Sequence, residues 1–408
     1  MGKALMVSFG ANSIANGNEF NVFGFSGLTN TEAQTQASCT EAATFSGFGG
    51  IVTSGNSGTA TFRFRDAGAN GNQTFQISGA GENEDATNTD VLSAGDLFNI
   101  AYTDTGANSV VGWNKMNVEF SSGHGNFHGI ASYLGLVYDV PSATRFIPLA
   151  GALQTDGQSS ERGWKVRAYD TFEALQVRVN ANARTNTSTF RNRINNGNGT
   201  AQIDFTAGAT GLLSDTALGD SITDGQEINA SITLDTGVED LTVAFVLATL
   251  KSSSNKSETF ATAQNNLSRT ASSTAHYFSI GGDLRSLTAN ASEADASLKV
   301  GFAAVVSNLR CYLSANTYTG NGTLKLYQNG SAVLTTTITA SGGAGWYENT
   351  SDTITIDADD ELSFEFDEGT SGSITIHSVG ITFAPVAAPG GTILPQLMQH
   401  GLFLGMRT

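Results

Sequence analysis

The stretch TFRFRDAGANG at residues 61–71 returns as TFRNRINNGNG at residues 189–199, an offset of 128 residues. In each copy a phenylalanine, Phe62 or Phe190, alternates with arginines. Successive side chains of a β-strand point to opposite faces, so one face buries the ring and the other presents guanidinium groups to water or to an acidic neighbour. The repeated stretch therefore predicts a strand that occurs twice, and with it a repeated domain.

The end of each copy predicts a tight hairpin. Asn70-Gly71 and Asn198-Gly199 are Asn-Gly pairs, which accept the positive φ angles of two-residue hairpin turns. The copies differ at one apolar position of the strand, where Asn192 takes the place of Phe64. We therefore expect the second sheet to be shallower or edge-like at this point.

A third copy follows at an offset of 134 residues from the second, where ALQVRVNANARTNTSTFRNRINNG (174–197) matches NLRCYLSANTYTGNGTLKLYQNG (308–330). Identity is low, but the inward positions of the alternating strand coincide, and they pair Leu175, Val177 and Val179 with Leu309, Cys311 and Leu313. Cys311 is then expected to pack as a small apolar residue, which is the usual role of a free cysteine. Asn329-Gly330 repeats the hairpin signal.

These copies predict the fold class and the domain organisation. Each copy spans about 110–130 residues and holds roughly six to eight short strands with turn signals every 8–12 residues, a spacing typical of antiparallel sandwiches and jelly rolls. We expect an all-β chain of three tandem antiparallel β-sandwich, jelly-roll-like domains, with an apolar tail. Their expected bounds are residues 1–135, 136–265 and 266–385, followed by a linker and C-terminal assembly tail at 386–408.

The composition favours strands and excludes several partners. Charged residues are only 14% of the chain, against about 25% usually, and 47 glycines supply turns. The formal net charge of −17, from 20 basic and 37 acidic residues, repels polyphosphates, so we expect no nucleic-acid partner. No apolar stretch is long enough to span a bilayer, so we expect no membrane partner. Cys39 and Cys311 lie at non-equivalent places in the copies, so we expect no disulfide framework.

The last segment belongs to none of the copies. After Pro385 and Pro389 comes ILPQLMQHGLFLGM (393–406), which is apolar and almost uncharged and would form a sticky surface if exposed. It either folds back onto the third domain or inserts into a neighbouring subunit, and the reach of the linker favours the second. The candidate assembly residues are Ile393, Leu394, Leu397, Met398, Leu402, Phe403, Leu404 and Met406.

Signals for chemistry are weak. His124 and His128 are four residues apart, but the glycines around them favour a loop, and the glutamate of a zinc-protease motif is absent. The acidic clusters at 82–85, 220–227 and 357–361 lack EF-hand spacing, and they are either Ca²⁺ ligands or, more simply, solvated turns in which carboxylates cap backbone amides. No nucleophile elbow or phosphate loop occurs. We therefore predict no catalytic residues, no cofactor and no metal site, and a protein that is not an enzyme.

In its Gly/Asn/Thr-rich composition, TFRxR-like strands and short apolar tail, the chain resembles structural proteins of tailed bacteriophage particles, of the head-decoration, head-fibre or tail-fibre type. The resemblance implies a non-enzymatic protein that self-assembles as a homo-oligomer and contacts other particle proteins. It also implies a virion location, after assembly in the host cytoplasm. The N-terminal MGKALMVSFGANS, whose apolar run is too short for a secretory signal, agrees with assembly without secretion.

Two alternatives remain open. One is a subunit of a bacterial extracellular filament or surface layer, which would place the protein outside the cell. The other is a carbohydrate-binding or adhesive module with a glycan partner, for which Trp346, in GGAGWYEN, would lie in a loop beside Tyr347. The simpler interpretation is that Trp113, Trp164 and Trp346 are core or sheet-face anchors.

Overall fold

The computed structural model describes residues 2–14, 17–21, 29–54, 58–106, 109–120, 125–150, 161, 163–216, 219–270, 275–283, 292–294, 296–367 and 369–386. Strands dominate these ranges, and the described helical structure is one 3-10 turn at Glu32–Gln34. The strands form six sheets, two in each of three domains. The all-β prediction of tandem sandwich domains is confirmed.

Domain 1 contains two sheets of strand order β1-β9-β4-β7 and β2-β8-β5-β6, with β3 added beside β8. Its strands are β1 (Lys3–Ile14), β2 (Gly17–Asn21), β3 (Ala37–Ser38), β4 (Ala43–Ser54), β5 (Thr59–Asp66), β6 (Ala69–Ser78), β7 (Gly81–Leu92), β8 (Leu97–Asp104) and β9 (Ser109–Phe120).

Domain 2 repeats this plan as β10-β19-β13-β16, with β17 beside β13, and β11-β18-β14-β15, with β12 beside β18. Its strands are β10 (Gly125–Tyr138), β11 (Thr144–Ile147), β12 (Trp164–Lys165), β13 (Thr171–Asn182), β14 (Ser188–Ile194), β15 (Gly197–Phe205), β16 (Gly211–Asp215), β17 (Asp220–Ser221), β18 (Glu227–Thr233) and β19 (Leu241–Lys251).

Domain 3 repeats it again as β22-β20-β29-β24-β27 and β21-β28-β25-β26, with β23 beside β28. Its strands are β20 (Ser257–Thr270), β21 (His276–Phe278), β22 (Gly282–Asp283), β23 (Leu298–Val300), β24 (Ala304–Asn316), β25 (Gly322–Gln328), β26 (Ser331–Ile338), β27 (Gly345–Ile356), β28 (Asp360–Asp367) and β29 (Ser373–Pro385).

All three domains have jelly-roll topology. When the eight main strands of a domain are counted in chain order, one sheet has the order 1-8-3-6 and the other 2-7-4-5. This is the eight-strand, double-sheet arrangement of two Greek keys. The described pairings are antiparallel, apart from the short parallel pair of β20 and β22.

The domain boundaries differ from those expected from the sequence. The expected divisions at 135/136 and 265/266 fall inside β10 and β20, which pair with β19 and β29 of the domains they open. Residues 125–135 therefore belong to domain 2, and 257–265 to domain 3. The reason is that the first strand of each domain is completed by the last, a pairing across more than a hundred residues that local patterns do not show.

The hydrophobic clusters follow the domains but extend across their borders. In domain 1 the rings of Phe62 and Phe75 stack with centroids 4.5 Å apart. Cys311 is buried in the cluster of domain 3, so its predicted apolar role is confirmed. Phe245 of domain 2 joins the cluster of domain 1, and Phe260 of domain 3 joins that of domain 2. The domains are therefore packed against one another.

Candidate functional site

The three repeated hairpins occupy equivalent places, at the β5–β6, β14–β15 and β25–β26 connections. The turn residues of positive φ are Ala67-Gly68, Asn195-Asn196 and Asn329-Gly330. The Asn-Gly prediction is correct in the third copy and wrong in the first two, where the turn comes three residues earlier. Asn70-Gly71 and Asn198-Gly199 lie within β6 and β15 instead.

The asparagine that recurs in the first two copies accepts a hydrogen bond from an arginine, which is Arg65 in domain 1. Its guanidinium donates two hydrogen bonds to the Glu32 carboxylate, at 2.8 and 3.0 Å, and also donates to the Asn70 side chain and the Gly68 carbonyl. The guanidinium lies 5.9 Å from the centroid of the Phe20 ring, within cation–π range. One arginine thus fastens both the hairpin turn and the segment before β3 to the outer face of the sheet.

Arg193 makes the same clamp in domain 2. It donates to the Glu161 carboxylate at 2.8 and 2.6 Å and lies 5.4 Å from the Phe146 ring centroid. The hydrogen bond to Glu161 raises the pKa of Arg193. Domain 3 carries Tyr327 at this position, packed against Tyr277 with ring centroids 5.5 Å apart. The arginines therefore face acidic neighbours, and they hold the fold together.

Asn192 lies in an interior strand, so the expectation of an edge-like site is wrong. β14 pairs with both β15 and β18, and Asn192 is fully buried. Its amide donates to Asp220 at 2.8 Å and accepts from the Ala201 N–H at 3.1 Å. A side chain at Gly199 would collide with this amide. The glycine is therefore needed for close approach, and buried hydrogen bonds replace the phenylalanine ring.

The first seam, between domains 1 and 2, is formed by β3 and the β13/β19 sheet. The Ser38 N–H donates to Gln176 Oε1 at 3.0 Å, and the Gln176 amide donates to the Ser38 carbonyl at 2.8 Å. Thr40 and Thr249 are joined by a hydroxyl hydrogen bond of 3.2 Å. With Phe245 packed into the domain 1 cluster, this seam combines one amide clasp with apolar contact.

The second seam, between domains 2 and 3, is formed by β12 and the β24/β29 sheet, and it is ionic. Arg310 donates to the Lys165 carbonyl at 3.0 Å and to Glu258 Oε1 at 2.8 Å, and the Arg310 and Glu258 side chains are fully buried. Burial raises the pKa of Glu258, while the Arg310 charge opposes that shift. Arg167 extends the network to Glu348 at 2.7 Å.

Trp346 belongs to the second seam. It is a β27 residue, not a loop residue, and its Nε1–H donates to Glu227 of domain 2 at 2.8 Å. The Lys165 ammonium lies 5.1 Å from its ring centroid. Trp164 meets Phe260 across the same seam, with ring centroids 3.9 Å apart. Both tryptophans are therefore anchors between domains, as the simpler interpretation of the sequence expects.

The third seam, between domains 3 and 1, is formed by β23 and the β4/β9 sheet. The Gly301 N–H donates to Asn117 Oδ1 at 3.3 Å, and the Ser257 hydroxyl donates to the Lys3 carbonyl at 2.8 Å. Trp113 of domain 1 is 2% exposed and packs in the hydrophobic cluster of domain 3. All three tryptophans of the chain thus lie at seams.

The three seams close the domains into a ring. In each seam the short strand before the third main strand, β3, β12 or β23, contacts the next domain. A contact between two different surfaces is heterologous, and it generates either a closed ring or an open chain of units. Here the third seam returns to domain 1, so the contacts are satisfied within one polypeptide.

The acidic clusters accept hydrogen bonds from the backbone. Asp85 accepts from the N–H groups of Thr74 and Asn88, each at 3.0 Å. Burial acts to raise the pKa of Asp85, but these bonds, above all those from Asn88, outweigh it and hold the pKa at about 2. Asp220 and Asp360 accept backbone N–H groups in the other two clusters. Capping of turn and strand amides is therefore observed at all three.

Other sequence-derived sites have the following positions. Within the described residues, no group of three or more His, Cys, Asp or Glu side chains is placed to hold a metal ion. No helix in the described ranges has the length and hydropathy needed to cross a bilayer. His124 and the side chain of His128 lie outside the described residues. So do the eight candidate assembly residues, Ile393, Leu394, Leu397, Met398, Leu402, Phe403, Leu404 and Met406.

Comparison with known proteins gives distant likenesses. No family model and no curated protein matches the chain. A protein of an archaeal virus, described as a triple jelly roll in a turret assembly, is 13% identical over 93% of this chain and 90% of its own, with a TM-score of 0.16. A structure of infectious bursal disease virus, Gt strain, is 12% identical over 65% of this chain and 73% of its own, with a TM-score of 0.19.

The insecticidal δ-endotoxin Cry8Ea1 of Bacillus thuringiensis is 9% identical over 62% of this chain, with a TM-score of 0.21. The match spans 61% of the endotoxin chain. The structural neighbours thus include viral proteins alongside a bacterial toxin, at identities and TM-scores too low to carry an argument about function.

Proposed function

We propose that the chain is a non-enzymatic structural protein that self-assembles as a component of a virus particle, of the capsid-decoration, head-fibre or tail-fibre type. Jelly rolls occur in viral capsid proteins, lectins and cupins, so the fold alone selects no single function. The observation that carries the proposal is the closed ring of domains. Its seams are held by buried side chains such as Gln176 and Arg310, which join the three jelly rolls to one another.

Assembly with further copies would use surfaces that the ring leaves free. The short strands β3, β12 and β23 and the sheets they contact are occupied within the chain. Val386, the last described residue, donates its N–H to the Ala303 carbonyl at 2.9 Å, so the tail departs from domain 3 close to Gly301 of the third seam. We propose that the apolar tail binds a neighbouring subunit and that other particle proteins meet the outer sheets.

The test compares the full chain with a chain that ends at Val386, by light scattering after gel filtration and by electron microscopy. We expect oligomers or ordered arrays from the full chain, and a monomer with an unchanged unfolding temperature from the shortened one. A matched pair, Phe403→Asp and Gln396→Asp, separates the apolar contact from a general charge effect. A full chain that stays monomeric at every concentration and forms no ordered array would contradict the proposal.

A further inference from the structure

The third seam contains a half-open cavity between domains 1 and 3. Its volume is about 130 Å³. Its walls come from β7 and β9 of domain 1 and from β23 of domain 3. The lining residues are Glu82, Asn83, Glu84, Trp113, Lys115 and Lys299.

The second seam shows what fills the equivalent place there. Trp346 of domain 3 and Glu82 of domain 1 are equivalent residues. Each lies at the same position of its domain's sixth main strand, in the register that this strand makes with the third main strand. In the second seam the flat indole of Trp346 occupies the space between domains. Lys165 lies over its ring, and its Nε1–H meets Glu227.

The third seam has counterparts of the residues that surround the Trp346 ring, but it has no counterpart of the ring. Lys299 of β23 is the counterpart of Lys165. In the strand register Lys299 lies opposite Glu361, as Lys165 lies opposite Glu227. Because Glu82 stands where domain 3 has tryptophan, no side chain of the described residues fills the space. A ring-shaped group of suitable size would restore the packing of the second seam.

Two nearly fully buried lining residues, Trp113 and Lys115, carry hydrogen-bond donors. Trp113 is 2% exposed, and its Nε1–H has no acceptor among the described residues. Lys115, also 2% exposed, forms an ion pair with Glu84 and has further N–H groups to donate. A buried donor without a partner is unusual in a native protein, and a bound oxygen would satisfy it.

The rim of the cavity offers acceptors. Lys299 Nζ and Glu82 Oε1 are 3.3 Å apart, with about a third or more of each side chain exposed. The second oxygen of each glutamate can accept a hydrogen bond from a ligand. Two lysines and two glutamates leave the lining with no net charge, while the chain as a whole carries −17. A neutral ligand with both donors and acceptors fits this lining better than an anion or a cation.

We propose that this cavity binds one pyranose unit of a neutral sugar. A pyranose supplies a six-membered ring for the space that Trp346 fills in the second seam. Its hydroxyl groups accept from Trp113 Nε1 and Lys115, and they donate to the carboxylates at the rim. The rest of a longer glycan would leave through the open side. This inference does not depend on the proposed virion role.

The test measures binding to the full chain by saturation-transfer NMR and calorimetry, using glucose, galactose, mannose and N-acetylglucosamine beside indole and inorganic phosphate. We expect at least one sugar to bind with a dissociation constant of about 1–10 mM. Trp113→Phe, which keeps a ring but removes the N–H, should weaken binding at least about tenfold. Trp346→Phe, the same change in the second seam, should leave it unchanged.

The opposite results would overturn the proposal. These are no sugar binding up to about 20 mM, equal losses in the two tryptophan variants, or tighter binding of indole or phosphate than of any sugar. If Trp113→Phe does not fold, Lys299→Ala at the exposed rim decides instead. Weaker sugar binding by that variant supports the site, and unchanged binding overturns it.

Discussion

The second and third seams join equivalent strands with different chemistry. In the second, Arg310 of β24 reaches across to domain 2 and is neutralised by a fully buried glutamate. In the third, the equivalent residue of β4 is Gly49, and Lys115 from the neighbouring strand crosses the glycine to pair with Glu84. The ion pair between domains, Lys299–Glu82, lies at the exposed rim. One backbone plan therefore accepts either a filled ionic contact or an open polar one.

The largest effect is expected from Arg310→Ala, which breaks the second seam. It leaves Glu258 buried without its positive partner, and breaking a buried pair from one side costs about 3–5 kcal/mol of unfolding free energy. Urea unfolding measures the change. The double variant Arg310→Met with Glu258→Gln should recover most of the loss, because neither charge remains. A single-variant loss below about 1 kcal/mol would mean that the pair does not hold this seam.

A smaller loss of unfolding free energy is expected from Arg193→Ala. This variant tests whether the bonds from Arg193 to the segment before β12 support the second seam. The variant loses two charged hydrogen bonds to Glu161 and should cost about 2 kcal/mol. Arg191→Ala is the matched control, since Arg191 lies two residues away on the same face of β14 and its side chain makes no hydrogen bond among the described residues. It should stay within about 0.5 kcal/mol. Equal losses would refute the clamp.

Acid should lower the unfolding free energy through Asp85, which lies on β7, a strand that lines the third seam. A carboxyl whose pKa is lower in the folded state stabilises the fold above its unfolded pKa, near about 4, and loses that contribution as the pH falls. With a folded pKa of about 2, Asp85 should lose its contribution between pH 4 and 2. Asp85→Asn should reduce the pH dependence of the unfolding free energy over this interval, and it should cost about 1 kcal/mol of that free energy at neutral pH. The control is Asp240→Asn, at an exposed residue, which should change neither the unfolding free energy at neutral pH nor its pH dependence in acid. If this control reduces the pH dependence as much as Asp85→Asn does, Asp85 is not the cause.

The smallest effects are expected at two ion pairs, one in each seam, that differ in exposure. Lys165–Glu348 and Lys299–Glu82 both have N–O distances of 3.3 Å, but the first pair is less than 20% exposed and the second is more than 34% exposed. Lys165→Ala should cost about 1 kcal/mol, and Lys299→Ala less than about 0.5 kcal/mol. The Lys299 effect should vanish in about 1 M salt, whereas the Lys165 effect should persist in part. Identical salt dependence would show that burial does not distinguish the seams.

The local parts of this fold were predictable. Leu175, Val177 and Val179 alternate in the sequence, and all three side chains are buried in the domain 2 cluster. The third hairpin turn was placed correctly at Asn329-Gly330. Alternation and turn residues act over a few positions, so the sequence displays them directly. The first two hairpin turns were misplaced because Asn70 and Asn198 serve the arginine clamps, whose glutamates, Glu32 and Glu161, are more than thirty residues away.

By itself, the sequence determined that the chain is all-β, that one domain is written three times, and that strands and turns alternate within each copy. Only the tertiary structure decided where each domain begins and that the domains close into a ring. It also decided which of the equivalent seams is ionic and which is open. The physical reason is distance along the chain. Gln176 meets Ser38, and Arg310 meets Lys165, across more than a hundred residues, so no local pattern records which side chains share an interface.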